Sequence, residues 1–397
     1  MTRTILDIHI LQNVPPSNMN RDETGTPKSA YYGGVRRARV SSQAWKRATR
    51  KRFEELLPPE ELGVRTKKVV EALAQRITAR EPDFSGDAVK LAEIALKSAT
   101  GSSFEVPKRK SKNDDEGTAV AEAKYLMFLS RRQLDALAEL TVEASGGGDT
   151  ATLEKALKGK ELKALARSTV DTRHSIDIAL FGRMVADAAD LNVDAATQVA
   201  HALSVHRSDI ESDYYTAVDD LNEDSETGAG MIGTIDFNSA TLYRYAAVDA
   251  NELQRNLGVG LKDDESPSTP TAKAVAAFLE AFVTSLPSGK INTFANHTLP
   301  SAVIVKIRER WPLSFVGAFE EPVPKTERGG YLRESCLRLT RHVKSTEREY
   351  GLDGDRTWVF RVGDETSELK DLGTGVTLSE LLDQVQDAVR ERLESGA

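Results

Sequence analysis

Apolar residues alternate near the start of the chain and then give way to helical spacing. Alternation over residues 5–11 predicts a first strand, with Ile8 and Ile10 on one face. Segment 13–34 is rich in Pro, Asn, Asp and Gly and predicts a long ordered or binding loop. A helix is expected over residues 42–57, and the two consecutive prolines that follow should end it.

The middle of the chain changes character from about residue 66 to residue 167. Ala, Leu, Lys and Glu dominate there, and apolar residues recur at helical spacing. We therefore predict a helical insertion. Within it, segment 108–117 is expected to form a charged loop, and the three glycines at 146–148 a hinge or linker.

Strand patterns return in the second half. Residues 199–205 alternate, which predicts a strand with Val199, His201, Leu203 and Val205 on one face. An acidic, glycine-ended loop at 219–230 lies between strand-like segments and predicts an extended hairpin. The remaining predictions are strands at 214–218, 231–237, 241–248, 302–307 and 358–362, a helix at 271–286, and a C-terminal helix opened by the capping box Thr377-Leu378-Ser379-Glu380.

Outside the insertion, the predicted order is strand, helix, strand, strand, helix, strand. This is the order of a split βαβ unit, which ferredoxin-like folds and RNA-recognition motifs share. The predicted fold class is therefore α+β. The aromatic RNP signature of RNA-recognition motifs is absent from the sequence, and strand order alone does not specify a function.

Charge gives the strongest functional signal. The 397 residues carry a formal net charge of -8, yet residues 36–52 hold eight Lys or Arg and no acid. The rest of the chain therefore sums to -16 (-8 minus +8). Such a concentrated block favours binding to a polyanion. The sequence Ser41-Ser42-Gln43 within it is typical of a helix start, where free backbone N–H groups attract anions.

Other features narrow the class of protein. Cys336 is the single cysteine, so neither a disulfide framework nor a thiolate metal cluster is expected. No apolar run is long enough to span a membrane, and Asp7 falls too early for the apolar core of a signal peptide. We expect a cytoplasmic protein with no membrane partner, no cofactor and no bound metal.

Several candidate residues also have a simple structural interpretation. The basic block could be a solvated helix face, although Arg36, Arg37 and Arg39 precede the helix without acidic neighbours. Asp22 could hold a local Asx-turn in the long loop.

Tyr214 and Tyr215 are expected to pack in the core or across strands, and their alternative role is base stacking. Met184 is expected in the core by composition, and its alternative role is an apolar wedge between bases.

A set of motifs in fixed order resembles the CasC-type backbone subunit of the type I-E CRISPR Cascade surveillance complex. The matching segments are Ile8-His9-Ile10-Leu11, Asn20-Arg21-Asp22, residues 33–51, residues 177–184, residues 200–206, residues 213–220 and Tyr243-Arg244-Tyr245-Ala246. They span about residues 5–250, with weaker similarity beyond, and the insertion is much less recognisable. The combined set is specific, whereas each piece alone is not.

The resemblance implies a hand-like subunit that stacks in several copies along one guide RNA. A palm resembling an RNA-recognition motif would comprise residues 1–62, 169–205 and 239–397, the last with a C-terminal extension. Helical fingers would comprise residues 63–168, and a hairpin thumb residues 206–238. The family's backbone subunit cuts nothing. Its implied partners are the crRNA guide, the target DNA strand, other copies of itself, the large, small, end-capping and crRNA-processing subunits, and a recruited nuclease-helicase.

The resemblance also implies roles for individual residues. The guide backbone would be lined by Arg21, Lys28, Ser41, Gln43, Lys46, Arg47 and Arg50, and the basic block adds Arg36, Arg37 and Arg39. Met184 and Ile232 would act as apolar wedges. Tyr214 and Tyr215 stand where the family can have Trp-Phe, so they keep the aromatic area and add hydroxyls.

Two other classes of function stay open. One is a metal-independent ribonuclease of ferredoxin-like fold that processes CRISPR RNA, with His9 or His201 as general base. The other is a DNA-binding protein that uses residues 42–52 as a recognition helix. The second is less favoured, because no second helix precedes this one at the right spacing.

Overall fold

The computed structural model describes residues 3–107, 120–185, 188–217, 231–258, 266–325, 327, 329–352 and 356–396. The strands are β1 (Ile5–Ser17), β2 (Ser29–Tyr32), β3 (Val35–Val40), β4 (Gly63–Thr66), β5 (Phe104–Glu105), β6 (Glu122–Ala123), β7 (Met127–Ser130), β8 (Thr197–Val199), β9 (Ala202–Ser204), β10 (Glu211–Ala217), β11 (Met231–Asp249), β12 (Ala302–Arg308), β13 (Arg356–Arg361) and β14 (Thr374–Gly375).

The helices are α1 (Ser42–Leu56), α2 (Val69–Arg80), α3 (Ala88–Thr100), α4 (Arg131–Ala144), α5 (Thr150–Leu157), α6 (Lys160–Thr169), α7 (Ile176–Phe181), α8 (Ala250–Leu257), α9 (Ser268–Thr284), α10 (Ile291–Phe294), α11 (Leu332–Tyr350) and α12 (Leu378–Ser395). The chain divides into two compact units. The first comprises residues 1–53, 198–249 and 275–397, and the second comprises residues 54–197 and 250–274.

A large mixed sheet organises the first unit, with strand order β14-β13-β12-β1-β11-β9-β3-β2. Strand β1 lies antiparallel between β11 and β12, so that Ile8 stands opposite Ala246 on one side and Val305 on the other. The four strands β12, β1, β11 and β9 follow the order expected for the split βαβ unit. The predicted α+β fold class is confirmed.

Strand β1 is buried on both faces, because its polar side chains have partners inside the protein. The Asp7 carboxylate accepts from Tyr245 Oη at 2.8 Å and from Arg308 Nε at 2.5 Å. The ring of His9 hydrogen-bonds Tyr243 Oη at 2.9 Å. Satisfied polar groups can be buried at little cost. The face that carries Asp7, His9 and Leu11 therefore lies in the core, as does the face of Ile8 and Ile10.

The second unit is built on helices α2 to α6, which agrees with the helical insertion predicted over about residues 66–167. Its core includes Val70, Leu73, Leu91, Leu137 and Leu153. Helix α4 begins with a capping box, in which Gln133 Oε1 accepts from the Ser130 N–H at 3.0 Å. The predicted hinge at 146–148 follows α4 and has three left-handed glycines.

The predicted loop over residues 13–34 is wrong in part. Strand β1 runs on to Ser17, and β2 pairs with β3 so that Tyr31 faces Arg36. Pro15 and Pro16 are accommodated where the register between β1 and β11 shifts, as proline requires within a sheet. Pairing with β11 on either side of these prolines outweighs their local tendency to end a strand. The irregular segment is 18–28.

Two further strand predictions need correction. Segments 231–237 and 241–248 form one strand, because the intervening Asn238 and Ala240 pair with Ser17 and Val14. The alternating segment 199–205 is interrupted between β8 and β9. Ala202 and Ser204 are buried there, and so is Val205 of the alternate set.

Helix α9, strands β12 and β13, and helix α12 with its capping box confirm the predictions for the last third of the chain. The predicted loops 108–117 and 219–230 lie outside the described residues. Within the described residues, no helix combines the length and apolar character that crossing a membrane demands.

Candidate nucleic-acid interface

Strand β3 separates its arginines into different environments. Arg36 is exposed, Arg39 is half-buried and Arg37 is fully buried. The Arg37 guanidinium donates to the carbonyls of Ser204, Phe319 and Glu320 at 2.9 to 3.0 Å and to that of Tyr32 at 3.1 Å. Burial lowers the pKa of Arg37. The predicted contact of Arg37 with RNA is therefore corrected: its donors are used inside the protein.

Arg39 lies in a small cationic group. Its Nε donates to the Ser29 carbonyl at 3.1 Å, and its Nη1 lies 3.1 Å from His201 Nδ1. The pKa of His201 is lowered, first by burial and then by the nearby charges of Arg39 and Lys28. A neutral His201 can accept from Arg39, so the group keeps two positive charges near neutral pH.

The turn over residues 18–28 is tied to the start of helix α1. Asp22 Oδ1 accepts from the Thr24 hydroxyl at 2.7 Å and from the N–H of Thr24 and of Thr26. These hydrogen bonds lower the pKa of Asp22, and the Asx-turn interpretation is confirmed. Asn20 Oδ1 accepts from the Ser41 N–H at 2.8 Å. Exposed Arg21 is thus held on a fixed turn.

Helix α1 begins at the predicted place, and its first turn carries no acidic residue. The hydroxyl of Ser41 accepts from the Ala44 N–H at 3.4 Å, so this buried serine caps the helix. Trp45, Thr49 and Phe53 form the buried side. The remaining surface carries the cations and one amide: Gln43 and Arg47 are exposed, and Lys46 and Arg50 are half-buried.

A buried arginine that sequence reasoning missed supports α1. The Arg244 guanidinium lies 3.7 Å from the centre of the Trp45 ring and 4.5 Å from that of Phe282. It also donates to Gln12 Oε1 at 2.7 Å, and burial lowers the pKa of Arg244 to about 9. Alternation alone would place Arg244 outward, between the inward Tyr243 and Tyr245, but both faces of this part of β11 are buried.

Strands β10 and β11 form an antiparallel ribbon with exposed apolar surface. Tyr214 is 72% exposed, Tyr215 47% and Ile232 71%, so the core interpretation of the tyrosines is wrong. The register pairs Tyr214 with Thr234 and Tyr215 with Gly233, which places Tyr214 and Ile232 on the same face. On the other face, the Tyr215 ring occupies the space above Gly233, where an added Cβ would lie 2.5 Å from Cζ.

Met184 lies in the second unit and is 83% exposed, so the prediction that it packs in the core is wrong. Its neighbour Arg183 is buried and donates to the carbonyls of Leu191 and Val170 at 2.8 and 2.9 Å and to Asp171 Oδ1 at 2.9 Å. The backbone before Met184 is therefore fixed, and its thioether faces solvent. The other candidates lie in the first unit.

His9 does not fit the role of a general base. It is 1% exposed, and its pKa lies well below the ordinary value because of burial and then the charges of Arg308 and Lys306. A base must reach its substrate, and His9 cannot. His201 is exposed and stays available. Among the described residues, no group of three or more His, Cys, Asp or Glu side chains could hold a metal ion.

Comparisons with known proteins agree with this arrangement of a sheet, a helical unit and a ribbon. The model of the CT1975-like protein family matches residues 6–384. A solved chain of a "CRISPR RNA-guided surveillance complex, pre-nicking" is similar at 31% identity and a TM-score of 0.79, over 97% of this chain and 100% of that one. A chain of another "CRISPR RNA-guided surveillance complex" is 28% identical, with a TM-score of 0.68, over 97% and 99%. A search of curated proteins found no match.

Proposed function

The chain belongs to the CT1975-like protein family, and on that premise we propose that it is a non-catalytic crRNA-binding backbone subunit of a type I-E Cascade complex. Its task is to hold the sugar-phosphate backbone of the guide and leave the bases free to pair with target DNA. Its partners are the guide, the target strand, further copies of itself, the other Cascade subunits and the nuclease-helicase that the complex recruits.

The observation that carries the proposal is a basic face on the first unit. It consists of Arg21, Lys28, Arg36, Arg39, Gln43, Lys46, Arg47 and Arg50, which are exposed or half-buried on the turn 18–28, strand β3 and helix α1. Phosphate contacts of this kind fix the position of a nucleic acid without reading its sequence. Guide-directed complexes leave the reading to base pairing.

The ribbon supports a second part of the proposal. Tyr214 and Ile232 present apolar surface on one face, away from the sheet core. Aromatic rings stack on any base, and apolar wedges separate neighbouring base pairs. We assign these side chains, with Met184 from the second unit, to contacts with unstacked nucleotides of the guide-target duplex.

Co-purification tests the proposal. The tagged chain, expressed with its operon partners and a CRISPR array, should elute with a small RNA of uniform length. Elution without RNA, while the partners assemble normally, would contradict the proposed function.

The ribonuclease alternative has a separate test. Labelled repeat RNA is incubated with the purified chain in the absence of metal, beside a His201→Ala variant. Intact RNA is expected in both samples. Cleavage that disappears in the variant would instead assign a catalytic role to His201.

A further inference from the structure

Acidic residues are distributed unevenly along the chain. Asp and Glu account for 61 of 397 residues, yet segments 24–53 and 281–308 contain none over 30 and 28 residues. The next longest acid-free segments have 14 residues. The first segment holds most of the basic face. The second includes an exposed loop, residues 288–299, that the proposed function leaves unassigned.

This loop is joined to the elements that carry the basic face. Gly289 packs against the backbone of the turn 18–28, since a Cβ there would lie 2.2 Å from the Met19 carbonyl oxygen. Just before the loop, the hydroxyl of Ser285 lies 3.5 Å from that of Thr49 on helix α1. The loop is therefore fixed beside Arg21 and α1, inside the same unit.

The loop also reaches the base of the ribbon. The ring of Phe294 lies 5.8 Å from that of Phe237 on β11. At its far end, Gln12 Nε2 donates to the Thr298 carbonyl at 2.8 Å. These contacts place the loop between the basic face and the exposed tyrosines, where a strand bound to both would pass.

Its backbone is strained and its polar groups are incompletely paired. Lys290 and Ala295 adopt left-handed conformations, with φ of 51° and 44°, which non-glycine residues rarely do. Asn296 is fully buried, and neither amide atom has a hydrogen-bond partner within the described part of the protein. Left-handed backbone at non-glycine residues and unpaired buried polar groups are both uncommon in native proteins. Such backbone strain clusters at ligand-binding sites.

The exposed side chains have the chemistry of a phosphate and sugar contact. Ser288, Lys290, Asn292, Thr293 and His297 are exposed, and the loop contains no acid to repel a polyanion. A lysine ammonium binds phosphate as a point charge, while amides and hydroxyls reach phosphate oxygens and ribose.

We infer that residues 288–299 form a second contact for the backbone of single-stranded RNA, with Lys290 as its charged group. The left-handed conformation of Lys290 fixes where this side chain leaves the loop. The inference rests on the proposed function and extends it, because the guide is held from two sides, by the basic face and by this loop.

The test measures binding of the full chain to fluorescein-labelled oligo(U) and oligo(A) of equal length across a salt series. Lys290→Ala should weaken binding about threefold to tenfold for both RNAs and reduce the salt slope by about 0.7, the value for one lost contact on a single strand. Lys370→Ala is the matched control. It removes an exposed lysine from an acidic segment of the same unit and should change neither quantity.

The outcomes separate the two proposals. If the unaltered chain binds neither RNA, the proposed function fails with it. If the unaltered chain binds and Lys290→Ala matches Lys370→Ala, only the loop contact is overturned. A loss confined to one of the two RNAs would also overturn it, because a backbone contact does not distinguish bases. Circular dichroism of each variant identifies any loss that comes from misfolding.

Discussion

The basic face and the ribbon of the first unit present opposite chemistry. The basic face offers cations, among them Arg39, whose Nε donates to the Ser29 carbonyl. The ribbon offers Tyr214 and Ile232, which are largely exposed and apolar. A cationic side chain can bind any phosphate along a nucleic-acid strand, whereas an aromatic ring needs an accessible base to stack on. Under the proposed function, the basic face would hold the nucleic acid and the ribbon would act on its stacking.

The largest expected effect separates structural arginines from binding arginines on strand β3. Arg37→Ala should lower the free energy of unfolding by about 3–5 kcal/mol, because it leaves two buried and two partly buried carbonyls without their donor. Arg36→Ala should change it by less than about 0.5 kcal/mol, since Arg36 is exposed. Urea denaturation measures both. Equal stability of the two variants would contradict the structural role of Arg37.

The next effect concerns the basic face. The double change Arg39→Ala and Arg47→Ala should weaken guide binding about tenfold to a hundredfold at 0.15 M salt. The slope of log K against log salt should fall by about 1.4, or 0.7 for each contact.

The double change Arg348→Ala and Arg390→Ala is the control, because it removes the same number of charges outside the basic face. Both arginines are paired with neighbouring acids on helices α11 and α12. Fluorescence anisotropy with two unrelated guides measures the effect. If one guide were weakened much more than the other, backbone holding would be wrong.

A smaller and more selective effect is expected at the ribbon. Tyr214→Ala should weaken pairing of the loaded complex with target DNA about tenfold, the scale of one stacked base. Its affinity for the guide should change less than about twofold. Tyr214→Phe keeps the ring and should restore pairing. Target capture by surface plasmon resonance distinguishes the variants. An equal loss of guide affinity would contradict separate roles for the ribbon and the basic face.

The smallest effect is a pH dependence of the second unit. Gln133 Oε1 is held by the Ser130 N–H, so its amide nitrogen donates to His174 Nδ1 at 3.0 Å, which requires a neutral ring. Burial lowers the pKa of His174 to about 4 in the folded state.

The folded-state pKa of His174 lies below the unfolded value near 6.5. The stabilisation that comes from keeping this ring neutral is therefore present above pH 6.5 and is lost as pH falls towards 4. The Tm should drop by a few degrees between pH 7.5 and 5, and His174→Gln should flatten that profile. A profile unchanged in the variant would count against His174.

The sequence predicted elements wherever the local pattern and the tertiary environment agree. Helix α1 and the capping box at Thr377 are examples, since their signals lie within a few residues. The prediction was wrong where pairing with distant strands decides. Pro15 and Pro16 indicate a loop locally, but they remain in β1 because β11 pairs with the residues on either side.

Sites follow the same rule. The basic block named Arg37 and Arg39 alike, and only the packing of strand β3 distinguishes them. Composition alone placed Met184 and Tyr214 in the core, because apolar residues are usually buried, whereas the family resemblance implied contacts that need both side chains exposed, as they are. The loop at 288–299 was missed, since left-handed backbone at Lys290 and Ala295 has no signature in non-glycine residues.

Cross-linking of the guide inside the assembled complex tests the central claim most directly. Guide RNA carrying 4-thiouridine is irradiated in the purified complex, and the attached peptides are identified by mass spectrometry. We expect adducts in residues 20–52 and in the ribbon, at positions that do not change with the guide sequence. Adducts concentrated on helices α11 and α12, with none in residues 20–52, would contradict the assignment of the basic face.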